Sequence, residues 1–119
     1  MIIDIHGHYT TAPRQLRTWR NKQIEEFKPG VPFTDPLTIS DDEIRETIIN
    51  GQLKLQQDRG TDIALFSPTA GGMAHHYGDA ATSLQWTRTV NDLVKRVADL
   101  FPDSFIPVCQ LPQSPGVSP

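Results

Sequence analysis

One cysteine, Cys109, stands among the 119 residues, so no disulfide can form within the chain. A secreted scaffold stapled by bridges is thereby excluded, and a reducing, cytoplasmic compartment is expected. No apolar run approaches the roughly 20 residues of a membrane-spanning helix, so no membrane partner is expected. The N-terminus lacks the basic stretch that precedes the apolar core of a signal peptide. Eleven Lys and Arg against fourteen Asp and Glu leave a net charge of −3. Without a basic excess, nucleic acid is not expected among the partners. Apolar residues make up only 37% of the chain, enough for a modest core in at most one domain's worth of sequence.

What is present is concentrated at the start. Met1-Ile2-Ile3-Asp4-Ile5-His6-Gly7-His8 reads as a β-branched strand that ends in two histidines. Strand side chains alternate between faces, so His6 and His8 are expected on one side with Asp4 behind them. Ile3 and Ile5 then take the other face, the pattern of a strand buried on both sides whose C-terminal end opens into a site. Two neutral imidazoles on one side are half of a four-coordinate first-row transition-metal site, and a catalytic zinc usually needs a third protein ligand. The polar face of a surface strand is the alternative that spacing leaves open. Asp4 is either a partner that orients an imidazole or a structural hydrogen-bond acceptor for loop backbone.

The rest of the chain alternates helix and strand. Thr10 or Thr11 can cap a helix with Pro13 in its first turn and Leu16, Trp19, Ile24 and Phe27 along one side. Residues 28–39 are expected to be a proline-rich loop inserted on the histidine side. Ser40-Asp41-Asp42-Glu43 is a capping box, flanked by Ile39 and Ile44 as a hydrophobic staple. Ile44, Ile48, Leu53 and Leu55 would form the buried stripe, with Gly51 weakening the helix and Gly60 ending it. Asp62 to Phe66 reads as a second strand. A glycine-rich loop with His75 and His76 comes next, then a helix carrying Leu84, Trp86, Val90, Leu93, Val94, Val97 and Leu100. Ser104 to Cys109 is a third strand, which would bury Cys109 as an inert thiol. Both tryptophans fall on apolar stripes and are expected in the core. The order β-α-α-β-α-β implies an α/β fold of parallel β/α units. Three strands cannot close a barrel; they match the first three of a TIM-type (β/α)8 barrel, which takes about 250 residues.

Several separate blocks carry a family likeness: residues 1–10, Ser40 to Arg45, Phe66-Ser67-Pro68, Met73 to His76 with Gly78-Asp79, and Leu100 through Pro115. On these the chain resembles the 4-oxalomesaconate hydratases of the amidohydrolase superfamily, near the aminocarboxymuconate-semialdehyde decarboxylases. The resemblance implies the N-terminal part, residues 1–119, of a longer zinc-dependent barrel that hydrates an unsaturated tricarboxylic acid in protocatechuate or gallate degradation. It implies His6 and His8 as metal ligands, and His76 on a substrate-facing loop. Thr69, a candidate substrate-binding residue, is a departure: the family carries arginine after the proline, and if that arginine holds a substrate carboxylate, the exact substrate is left open.

Zinc, or another divalent metal, would lower the pKa of water to roughly 7 for addition to an activated double bond. His76 could supply the acid or donate to a substrate carboxylate, since its pKa lies near neutrality. Solvated loop histidines are the plainer reading, and His75 is assigned to it. Arg14, Arg17, Lys54 and Arg88 are unranked candidates for holding a polycarboxylate. Two other functions stand beside the hydratase. One is a decarboxylase of the muconate-semialdehyde type. The other is a non-catalytic fragment that self-associates into a homo-oligomer through its uncovered strand edge.

Overall fold

Three short strands form one parallel sheet in the order β1-β2-β3, with β1 at Ile3–His8, β2 at Ile63–Ser67 and β3 at Phe105–Pro107. The computed structural model describes residues 1–69 and 78–112. Parallel neighbours need crossovers, and helices supply them. Between β1 and β2 run α1 (Arg14–Glu25), α2 (Asp41–Ile48), a π-helical turn (Ile49–Leu53) and α3 (Lys54–Arg59); α4 (Ala80–Leu100) joins β2 to β3. The β-α-α-β-α-β order and the α/β class are those expected. No helix among the described residues is long and apolar enough to cross a membrane.

The capping box forms as its residues dictate. Ser40 Oγ accepts from the Glu43 amide at 3.2 Å and the Glu43 carboxylate accepts from the Ser40 amide at 2.8 Å. Ile39 and Ile44 are both buried beside it. Gly60 takes φ 68° and ends α3 in the left-handed conformation that glycine adopts without strain. The start of α1 departs from expectation. Pro13 is its N-cap and no side chain caps it. Thr10 and Thr11 are engaged elsewhere: Gln52 Nε2 donates to Thr10 Oγ1 at 2.8 Å, and Thr11 Oγ1 donates to the Thr47 carbonyl at 3.3 Å.

The π-helical turn at Ile49–Leu53 holds Gly51, the residue expected to weaken this helix. An i→i+5 turn adds a residue to the helical repeat and rotates the helix beyond it. Ile44 and Ile48 are fully buried before it, but Gln56 is buried after it and Leu55 is 47% exposed. The expected stripe is therefore corrected at Leu55, whose inward place Gln56 has taken.

Among the described residues, only one face of the sheet is covered. Ala64 and Phe66 on β2 and Phe105 on β3 are buried with Ile44, Ile48, Val94 and Val97 in the main core. Burying an aliphatic or aromatic side chain of this size contributes about 1.5–3 kcal/mol. Ile3, Ile5 and Ile106 are exposed, Ile5 by 77%. The expectation of a first strand buried on both sides is thus corrected. β1 is an edge strand, and nothing among the described residues lies over its second face.

A smaller cluster seats α1 against α4. Trp19 and Trp86 stack at 5.9 Å with 19° between their planes, and Trp19 Nε1 donates to the Asp35 carbonyl at 2.7 Å. Both tryptophans are core residues, as expected. Lys22 pairs with the Asp35 carboxylate, whose hydrogen bond raises the lysine pKa. Cys109 is exposed, a further correction: β3 ends at Pro107 and the sulfur lies beyond the ladder.

Candidate functional site

Parallel strands end on the same side, so the C-terminal ends of β1 and β2 bring His6, His8, Ser67, Pro68 and Thr69 together. His8 is paired in register with Ser67, and the His6 and His8 rings lie edge to face with centroids 4.8 Å apart. The two imidazoles share a side, as their spacing predicts. Between them only glycine fits. A Cβ at Gly7 would come within 2.9 Å of the Leu65 carbonyl oxygen.

Asp4 does not stand behind them. Asp4 pairs with Ala64 and His8 with Ser67, three residues apart on β2 and hence on opposite faces. The register slips between Asp4 and Gly7, where one extra β1 residue is accommodated. Alternation counted straight through the strand misses that slip. Asp4 therefore looks toward the helices, beside Gln52, Gln56 and Arg59, and its carboxylate accepts from the His6 backbone amide at 2.9 Å. The bond is to backbone of its own strand, not of a loop, and neither imidazole donates to it among the described residues.

The His8 ring is held from β2. Its Nδ1 lies 2.7 Å from Ser67 Oγ and 3.1 Å from the Pro68 carbonyl oxygen. The strand end is tied down as well, because Gln52 Nε2 donates to the His8 carbonyl at 3.2 Å. The exposed His6 ring has no hydrogen bond among the described residues. Two imidazoles on one side suit a borderline divalent ion such as zinc. No group of three His, Cys, Asp or Glu that could hold a metal occurs among the described residues. Among the described residues, His6 and His8 are the two imidazoles placed together.

Next to the strand ends lies a cleft of about 530 Å³, walled by Tyr9, Pro68, Thr69 and the facing sides of α1 and α4. Arg14 and Arg17 line it and carry no ion pair among the described residues. Lys54 is paired with Asp58 at 2.8 Å and Arg88 lies on the exposed side of α4, away from the cleft. Of the four cations that the sequence left unranked, Arg14 and Arg17 are the two on the cleft wall. Thr69 is on the cleft wall, but its hydroxyl proton goes to the Tyr9 carbonyl at 2.7 Å. Tyr9 shares its own hydroxyl with Thr47 at 2.7 Å, and burial pushes its pKa up, so it stays neutral. His75 and His76 lie outside the described residues. Sequence reasoning missed Ser67, for which only its place at a strand end beside the histidine loop was a signal.

No family model matches the chain. Over 115 residues, 97% of its length, it is 51% identical to 2-keto-4-carboxy-3-hexenedioate hydratase from Sphingobium sp. and covers 34% of that protein. Among solved structures it is similar to 4-oxalomesaconate hydratase from Rhodopseudomonas palustris, with a TM-score of 0.85 and 51% identity over 98% of this chain and 34% of that one. A structure described as an amidohydrolase II gives a TM-score of 0.56 at 22% identity over 94% of this chain and 32% of the other, a likeness of fold alone. The chain spans about a third of the length of the relatives it matches.

Proposed function

We propose that this chain is the N-terminal part of a metal-dependent hydratase that adds water to an unsaturated tricarboxylic acid of the 4-oxalomesaconate type, in the breakdown of aromatic compounds. The observation that carries this reading is the 51% identity to a hydratase over 97% of the chain. The paired histidines at the strand ends support it. The three strands are then the first three of a (β/α)8 barrel, and the uncovered sheet face is its interior, with the site at the C-terminal ends.

His6 and His8 would hold a divalent ion, zinc in the first instance, since imidazole also accepts manganese or iron. When bound, such an ion lowers the pKa of water to about 7, which is the chemistry a hydration needs at neutral pH. The remaining tasks fall to this chain's side chains. Arg14 and Arg17 bind substrate carboxylates by charge-assisted hydrogen bonds and so orient the double bond. Thr69, its proton committed to Tyr9, shapes the cleft wall and offers lone pairs only. His76, which follows β2 in the sequence, protonates the substrate carbon.

The test has two parts. Zinc titration of this chain by calorimetry is expected to show uptake that His6→Ala and His8→Ala each abolish; equal uptake in all three sinks the metal assignment. Ultraviolet assays of the polypeptide extended to its relatives' length are expected to show consumption of 4-oxalomesaconate, with KM raised about tenfold or more by Arg14→Ala or Arg17→Ala. Turnover of aminocarboxymuconate semialdehyde in its place overturns the hydratase in favour of the decarboxylase.

A further inference from the structure

Ser67 ends β2 directly across the ladder from His8. We propose that Ser67 is a positioning residue: with the Pro68 carbonyl it fixes the His8 imidazole as the Nδ1–H tautomer and so readies Nε2 for a divalent ion. The inference rests on the reading that His8 is a metal ligand.

Protons can be counted across this network. A serine hydroxyl has one to give, and Ser67 Oγ donates it to the Gly7 carbonyl oxygen at 3.1 Å. Toward His8 Nδ1, 2.7 Å away, Oγ therefore presents a lone pair. The second neighbour of Nδ1, the Pro68 carbonyl oxygen at 3.1 Å, can only accept. Both neighbours are acceptors, so the ring proton belongs on Nδ1. A neutral imidazole has a single N–H, and Nε2 is left with its lone pair free for a metal. Ligating histidines typically have their other ring nitrogen fixed in this way, by a carboxylate, carbonyl or water. Here a hydroxyl from the neighbouring strand joins a backbone carbonyl, and the hydroxyl is itself aimed by the backbone of Gly7, the residue between the two histidines. The contact is part-buried, which shields it from competing water.

Nitrogen-15 NMR of the metal-free chain reads the tautomer directly, and zinc calorimetry reads its consequence. In the parent chain His8 is expected to show a protonated Nδ1 and a bare Nε2. Ser67→Ala, left with the Pro68 acceptor alone, is expected to show a mixed tautomer and zinc affinity about tenfold or more weaker. Ser67→Thr keeps the hydroxyl and is expected to match the parent in both. Parent-like tautomer and affinity in Ser67→Ala overturn the proposal. So does a Ser67→Thr chain that behaves like the alanine variant, because packing and not the hydroxyl would then be responsible. Zinc affinity untouched by His8→Ala overturns the underlying metal reading, an outcome distinct from an unchanged tautomer in a chain whose zinc uptake still needs His8.

Discussion

At the scale of single residues, exposure separates positions that look alike in the sequence. Ile5 and Phe66 are both apolar strand residues, yet Ile5 is 77% exposed and Phe66 is fully buried. Phe66→Ala is expected to cost about 3–5 kcal/mol through lost burial and the cavity left behind. Ile5→Thr should stay within about 0.5 kcal/mol, as surface changes do. Urea unfolding of the two variants checks this; a large loss at Ile5 would mean that its face is covered in solution. That His6 and His8 share a side was legible because a one-residue spacing on a strand has a single consequence. The orientation of Asp4 was not. It depends on a register slip against β2, and the strand's own residues do not show where its partner begins.

Among the elements, local signals governed what could be read. The capping box lies within four residues and makes its bonds with itself, so it holds wherever the helix packs. Its hydrogen bonds from Ser40 hold the Glu43 carboxyl below its ordinary pKa of 4.5. A depressed carboxyl pKa contributes stability above the unfolded value, and that contribution is lost as pH falls through the folded value. The unfolding midpoint of the parent chain should therefore fall more steeply from about pH 5 downward than that of Glu43→Gln, as followed by circular dichroism. Parallel acid profiles would show that the pair contributes nothing. The π-helical turn was illegible beyond the weakness at Gly51, because which residue a helix inserts depends on what its two halves must cover. Its result is a buried amide at Gln56 whose Oε1 has no partner among the described residues. Gln56→Leu should raise stability by about 1 kcal/mol, since the Ser104 carbonyl it contacts keeps its bond from the Ala64 amide. A loss in thermal midpoint would show that the amide is satisfied.

For the molecule as a whole, the composition allowed a modest core, and the sheet shows where that core stops. Helices cover Ala64, Phe66 and Phe105, while the face carrying Ile106 and the histidines stays open. An exposed apolar face should take up a hydrophobic dye. Dye fluorescence is expected to be strong with this chain and to fall in a polypeptide extended to its relatives' length; equal fluorescence in both would count against the open face being a barrel interior. The sequence could name the parallel β/α order because crossovers are local, but which sheet face is covered is a property of neighbours outside these strands. The slip in β1 has its own bearing on how this chain can vary. Between the Asp4–Ala64 and Gly7–Phe66 pairs, two residues of β1 face one of β2, so the strand holds a residue of slack. Removing Ile5 would draw the ladder taut and leave His6 and His8 on the Ser67 side. Removing Gly7 would turn one imidazole away. Tolerance of shortening is thus expected ahead of the histidines and intolerance between them, a contrast that zinc uptake by the two shortened chains would expose.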